Sequence, residues 1–131
     1  PAQSKQDVLD YLQQHPLRDY QVYEYGRFAC VWKETGQVIG FSGIKFLEEI
    51  SETELGYRFL PEFWGKGLAT EAGTAVIQFA QGLNLKRLVA VIHPQNEGSK
   101  LVATKLGFSL EGKTELSLIE HQDLLLFSRT I

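Results

Sequence analysis

Apolar positions along this chain switch between helical and alternating periods, and the switches outline an ordered series of elements. Ser4-Lys5-Gln6-Asp7 can cap a helix over 4–15 in which Val8, Leu9, Tyr11 and Leu12 share one face, ending at His15-Pro16. Residues 23–32 and 37–46 read as a hairpin joined through Glu34-Thr35-Gly36. A third strand is predicted over 52–60. Residues 67–81 then carry Leu68, Ala72, Ala75, Val76 and Phe79 at helical spacing, with Glu71 complementing the positive helix start and Gly82 placed to stop it. A strand over 87–92, a short helix over 96–105 and a final hairpin of 108–117 and 123–130 complete the order. Internal repeats, linkers and low-complexity tracts are lacking.

Composition narrows the class. At 131 residues with 44% hydrophobic content the chain can bury one core, so 1–131 is read as a single domain. No apolar run approaches the roughly 20 residues that cross a bilayer, and Pro1-Ala2-Gln3-Ser4 lacks a secretory pattern; a cytoplasmic protein without membrane contact is expected. A net charge of −3 without a Lys/Arg cluster argues against a nucleic-acid partner and mildly favours an amine-bearing one. The sole cysteine, Cys30 within Phe28-Ala29-Cys30-Val31-Trp32, reads as a small core residue. His15, His93 and His121 lack the spacing of a metal site, and no metal is expected.

The chemistry is concentrated in Pro61-Glu62-Phe63-Trp64-Gly65-Lys66-Gly67-Leu68-Ala69-Thr70-Glu71-Ala72, where a strand breaks into a Gly-x-Gly turn and then a helix. The free N–H groups of such a turn and of the helix's first residues form a partly positive concavity suited to a phosphate or diphosphate. Gly65, Lys66, Gly67, Leu68, Ala69 and Thr70 are therefore the candidate phosphate-binding residues. Lys66 reads equally as a phosphate contact or a solvated surface charge. A P-loop needs four residues before its Gly-Lys-Ser/Thr, and a dinucleotide fingerprint needs a small residue where Thr70 stands, so neither fits. The alternative is a glycine turn that holds no ligand.

This block, with residues 52–80, Asn96-Glu97-Gly98-Ser99 and Lys105-Leu106-Gly107-Phe108, resembles the GNAT superfamily of acyl-CoA-dependent N-acetyltransferases, and most of all the branch that acetylates ribosomal-protein N-termini and its small-molecule relatives. Gly65 and Gly67 fall on the glycines of the family's Gln/Arg-x-x-Gly-x-Gly/Ala signature, while Glu62 departs from its first position. The resemblance runs from Gly36 to the C-terminus. It implies an α/β (α+β) fold with a mixed, mostly antiparallel central sheet flanked by helices. It also implies acetyl-CoA as cosubstrate, with direct transfer to a primary amine, either a protein N-terminal α-amine or a small-molecule amine.

By the same resemblance the cofactor's pantetheine arm pairs with the backbone at Arg58-Phe59-Leu60, where a Phe59 N–H faces the thioester oxygen. Ser99 matches the serine of the branch's Asn-x-x-Ser and is implied as proton donor to the leaving thiolate, the tyrosine that many members use having no counterpart between 108 and 131, and Asn96 is implied to orient the pantetheine or a water. Helix capping is the alternative role of both. Glu54 is the candidate for the amine's proton, with Glu52 and Glu120 as rivals and an ordinary strand-surface charge as the alternative. Tyr23, Tyr25, Phe28, Trp32 and Phe41 could line an acceptor groove, although alternation favours core packing. The family's usual first strand and helix have no counterpart ahead of residue 4. The chain thus reads as N-terminally truncated, with better acyl-CoA binding than catalysis and an unpaired edge inviting a homodimer. A catalytically impaired CoA-binding or sensory module and a purely structural domain are the competing functions.

Overall fold

The computed structural model describes residues 27–116 and 123–131. The helix expected over 4–15, the start of the first hairpin with Tyr23 and Tyr25, and Glu120 and His121 lie outside them. The described order is β1 (Arg27–Trp32), β2 (Gln37–Leu47), β3 (Glu52–Phe59), α1 (Leu68–Gly82), β4 (Arg87–Ile92), α2 (Glu97–Lys105), β5 (Ser109–Thr114) and β6 (Leu124–Thr130). A 3-10 turn over Pro61–Phe63, not anticipated from the sequence, connects β3 to the glycine loop.

The six described strands form one sheet in the order β1-β2-β3-β4-β6-β5. Every neighbouring pair is antiparallel except β3 and β4. Cys30 pairs with Gly40 but Val31 with Val38, so Ile39 is the extra residue of a bulge, and it is turned fully into the core. Both helices cover the same face. Val76, Ile77 and Ala80 of α1 and Ala103 and Leu106 of α2 close over Leu55, Leu88, Ala90, Ile92 and Phe127. Each of the Val, Leu, Ile and Phe side chains among them contributes about 1.5–3 kcal/mol by leaving water. A second cluster of Cys30, Ile39, Phe59, Leu68 and Ala72 lies under the glycine loop.

The buried stripe of α1 is Leu68, Ala72, Gly73, Val76, Ile77 and Ala80. Ala75, expected to face the core, is exposed, because the stripe follows i, i+4 steps from Leu68 joined by the 73–77 row. Phe79 sits at the stripe's border, its ring edge-on to Phe28 at 4.9 Å. Gly82, expected to stop the helix, is its last residue; the left-handed residue is Asn84, at φ 65°. There the Leu85 N–H reaches Ala80 O (3.2 Å) and the Asn84 N–H reaches Gln81 O (3.0 Å). That paired closure is a Schellman end.

α2 ends the same way. Gly107 takes φ 87°, its N–H donates to Thr104 O (3.0 Å), and the Phe108 N–H donates to Ala103 O (2.9 Å). The Leu-Gly-Phe motif therefore has a mechanical origin. Glycine permits the left-handed turn, while buried Leu106 and Phe108 pin it from either side.

Two glycines mark close approaches of different kinds. A Cβ on Gly40 would fall 2.2 Å from Arg58 O and 2.8 Å from Phe59 Cα, both fixed backbone. One on Gly73 would meet the movable Leu106 Cδ1 at 2.6 Å. Urea denaturation should therefore show Gly40→Ala losing about 2–3 kcal/mol and Gly73→Ala changing stability by less than about 1 kcal/mol. Equal losses would contradict the geometry.

Candidate functional site

The glycine loop leaves its backbone donors open. Gly65 and Gly67 adopt φ 76° and 75°, and open space surrounds the position of a Cβ at each. Positive φ, not crowding, is what calls for glycine there. Gly67 is the N-cap residue of α1 with no side-chain cap, and the first amide to bond back is that of Glu71, to Gly67 O at 3.0 Å. The N–H groups of Gly65, Lys66, Gly67, Leu68, Ala69 and Thr70 have no acceptor among the described residues. Lys66 is exposed beside them, and Trp64 leaves 67% of its surface open. The structure thus gathers the amides of all six phosphate-binding candidates at the partly positive start of α1.

Next to this loop the sheet divides. β3 and β4 run parallel and meet at one register point, Glu54 opposite Val89. Past it they part, and a cavity of about 170 Å³ opens between Leu55, Gly56 and Tyr57 on one side and Ala90, Val91 and Ile92 on the other. Ser99, Val102 and Ala103 of α2 close one end, and Arg27 and Glu54 stand at the other.

Backbone orientation along β3 follows from its pairing. The Leu60 N–H donates to Ile39 O (2.9 Å), so Phe59 opposite Gly40 is a pair not bonded to β2. The polar groups of Phe59, and by alternation those of Tyr57 and Leu55, therefore point towards β4. Near Phe59 that side is the parted region. The Phe59 carbonyl accepts the Trp64 indole N–H at 2.8 Å, which leaves the Phe59 N–H facing the opening.

The side chains fall into three groups. Asn96 caps α2, its Oδ1 accepting the Ser99 N–H at 3.0 Å, so the capping alternative holds for Asn96. Ser99 does not cap; its Oγ accepts the Tyr57 O–H at 3.0 Å across 42 positions of sequence. Burial raises the Tyr57 pKa while the Ser99 bond works against it, so the phenol stays protonated at neutral pH. Glu54, with its side chain 15% exposed, accepts from Arg27 Nη2 at 3.0 Å. Burial pushes its carboxyl above the ordinary 4.5, against the pull of Arg27, Lys45 and the Val91 N–H. It is not a plain surface charge.

The rivals are otherwise engaged. Glu52 is tied to Arg87 (Nη2 to Oε2, 2.8 Å), which also holds Glu111 and links β3, β4 and β5. His93 Nδ1 accepts the Gln95 N–H at 3.2 Å within a turn. Among the described residues no three His, Cys, Asp or Glu side chains converge, and no helix is long and apolar enough to cross a membrane. Burial drives the Cys30 thiol up to about 11, and the residue behaves as core. Trp32 packs on Phe63 at 5.3 Å, so it and Phe28 follow the packing alternative.

Sequence reasoning missed Tyr57 and Arg27. Tyr57 alternates with Leu55 and Phe59 and reads as core, while Arg27 is one charge inside the strand expected over 23–32. Only their neighbours in space, Glu54 and Ser99, pointed towards this place.

A model of the acetyltransferase (GNAT) domain family matches residues 1–109, and the chain belongs to that family. The match begins well ahead of Gly36, where the motif-based resemblance starts. Uncharacterized N-acetyltransferase p20 of Bacillus licheniformis is 38% identical over 88 residues, 66% of this chain and 49% of that protein. Spermidine N(1)-acetyltransferase of Escherichia coli K12 is 41% identical over 54 residues, 40% of this chain and 29% of the relative. The ribosomal-protein-S5-alanine acetyltransferase of Vibrio fischeri superposes with a TM-score of 0.74 at 26% identity, covering 96% of this chain and 69% of that one. The chain thus spans about half the length of p20.

The raised Glu54 pKa has a signed consequence. Between 4.5 and its higher folded value the native state holds the proton more tightly than the unfolded chain, so this residue lowers stability as pH rises through that interval. Urea titrations from pH 4 upward should show Glu54→Gln gaining on the wild type as pH increases. A constant difference would place the carboxyl at its ordinary value.

Proposed function

We propose that this chain is an N-acetyltransferase that moves an acetyl group from acetyl-CoA directly to a primary amine. The observation that carries this reading is the set of six unengaged amides at 65–70 beside a parted strand edge. Acetyl-CoA supplies an activated thioester. The chain's own groups suit what it needs: the loop amides and Lys66 would hold the diphosphate, and the β3 edge would pair with the pantetheine amides. The space around the Cβ positions of Gly65 and Gly67 is open for a diphosphate to approach.

Five residues divide the remaining work. The Phe59 N–H would stabilise a carbonyl oxygen as it gains negative charge. Glu54, ionised and partly desolvated, would take the amine's proton directly or through a water as the new C–N bond forms. Ser99 would donate to the sulfur as the C–S bond breaks. Tyr57, by donating its own O–H to Ser99 Oγ, polarises that hydroxyl and makes it the better donor. Asn96 keeps its Oδ1 in the α2 cap and has its amide N–H groups for the pantetheine or a water.

Two named relatives act on different amines, ribosomal-protein alanine in one and spermidine in the other. Both a protein N-terminal α-amine and a small-molecule amine therefore belong to this reading, and membership of the ribosomal-protein branch belongs to it too.

Calorimetry should detect acetyl-CoA binding to the wild type. Gly67→Val should weaken it roughly 100-fold or more, because each charge-assisted hydrogen bond lost is worth about 1.5–3 kcal/mol. Folded wild-type protein without affinity for acetyl-CoA would defeat the proposal. Binding without turnover on any amine would leave the impaired CoA-binding module in its place. Where turnover is found, Glu54→Gln should lower kcat by roughly 10²–10⁴ and remove an acid limb lying above pH 4.5 in the wild-type kcat/KM profile. An unchanged limb in that variant would assign the proton to another group.

A further inference from the structure

Arg27 has more hydrogen-bond donors than the fold uses. A guanidinium carries five N–H groups. Here Nη2 donates to Glu54 Oε1 at 3.0 Å, and among the described residues Nε, shut from solvent, has no partner and Nη1 has no acceptor. The group lies flat over β3, where a Cβ on Gly56 would come within 2.9 Å of Nη2. Glycine at 56 makes room for it. About a third of the side chain remains open, at the Glu54 end of the cavity between β3 and β4.

Holding a half-buried guanidinium with unfilled donors opposes folding. Pairing with Glu54 alone would need no more than one or two of the five. The cavity gives the surplus a use. Its charged lining among the described residues is one cation, Arg27, and one anion, Glu54, with Tyr57 and Ser99 the remaining polar side chains.

We propose that Arg27 reads the acceptor, its free Nη1 taking a carbonyl or carboxylate oxygen carried on the carbon next to the amine. The acceptor class is then α-aminoacyl, a peptide N-terminus or a free amino acid. In such a group the amine nitrogen and the carbonyl oxygen lie roughly 3 Å apart across the N–Cα–C=O bonds. That span matches the side-by-side carboxylate and guanidinium, so an amine presented to Glu54 carries its oxygen to Arg27. A polyamine brings further positive charge to a lining with no surplus anion and meets Arg27 as a like charge. The inference rests on the N-acetyltransferase reading and deepens it.

The test compares initial rates with acetyl-CoA for four acceptors: glycinamide, glycine, ethylamine and spermidine, each expressed per concentration of free-base amine. Glycinamide or glycine should exceed ethylamine and spermidine in kcat/KM by at least about tenfold, the worth of one hydrogen bond to a charged group. A preference for glycinamide indicates a peptide N-terminus, and one for glycine a free amino acid. Arg27→Gln should bring the ratio of the preferred acceptor to ethylamine close to one, with Arg27→Lys retaining part of it. Because loss of the Glu54 partner affects every acceptor alike, the ratio isolates recognition from proton transfer. Circular dichroism and acetyl-CoA binding serve as folding controls.

A wild-type preference for spermidine, or a ratio unmoved in both variants, would overturn the assignment. Should acetyl-CoA bind without turnover, glycinamide and ethylamine affinities for the CoA-loaded chain provide the same ratio. Absence of acetyl-CoA binding would instead remove the transferase reading beneath it.

Discussion

The parting of β3 and β4 is the constraint on which the rest depends. Parallel neighbours that meet at Glu54 and Val89 and then separate leave a sheet with an internal edge. Backbone groups that would pair across a continuous sheet are released there, and the side chains on both flanks converge on the gap. Packing holds the gap open. Leu55 and Phe59 are anchored under α1, Ala90 and Ile92 lie under α2, and Gly40 lets Phe59 approach β2 closely on the other side. Closing the sheet would require both helices to shift together, and a close-packed core resists that.

The polar groups in this region answer to the same division. Trp64 satisfies the Phe59 carbonyl and leaves its N–H facing the opening, so that edge presents a donor. Asn96 satisfies the Ser99 amide and frees the serine hydroxyl for Tyr57. Glu54 is held between desolvation, which favours its neutral form, and Arg27, which favours its charge. Each partner restricts its neighbour to one hydrogen-bonding role, and that restriction is what turns a cavity into a directional site.

Membership of the GNAT domain family gives these features a common context without choosing the acceptor. Two relatives that share the domain differ in the amine their names specify. Family membership does not set the acceptor; among the described residues the charged side chains that line the cavity are Arg27 and Glu54.

Sequence alone determined the elements whose cause is local. Gly65 and Gly67 announced a turn that only residues tolerant of positive φ can make, and Asn96 offered a helix cap. The strands showed themselves by alternation and the turn that opens α1 by its glycine spacing. Finer local details escaped, because Ala75 and Gly82 look as suitable as their neighbours until the sheet fixes which face of α1 is covered. Tertiary structure decided everything that joins distant positions. The Tyr57–Ser99 bond, the Arg27–Glu54 pair and the gap between β3 and β4 arise when strands far apart in sequence are brought side by side, and no period or spacing along one chain encodes that distance. Glu54 and Ser99 were legible as candidates through motif resemblance, but their partners were set by packing.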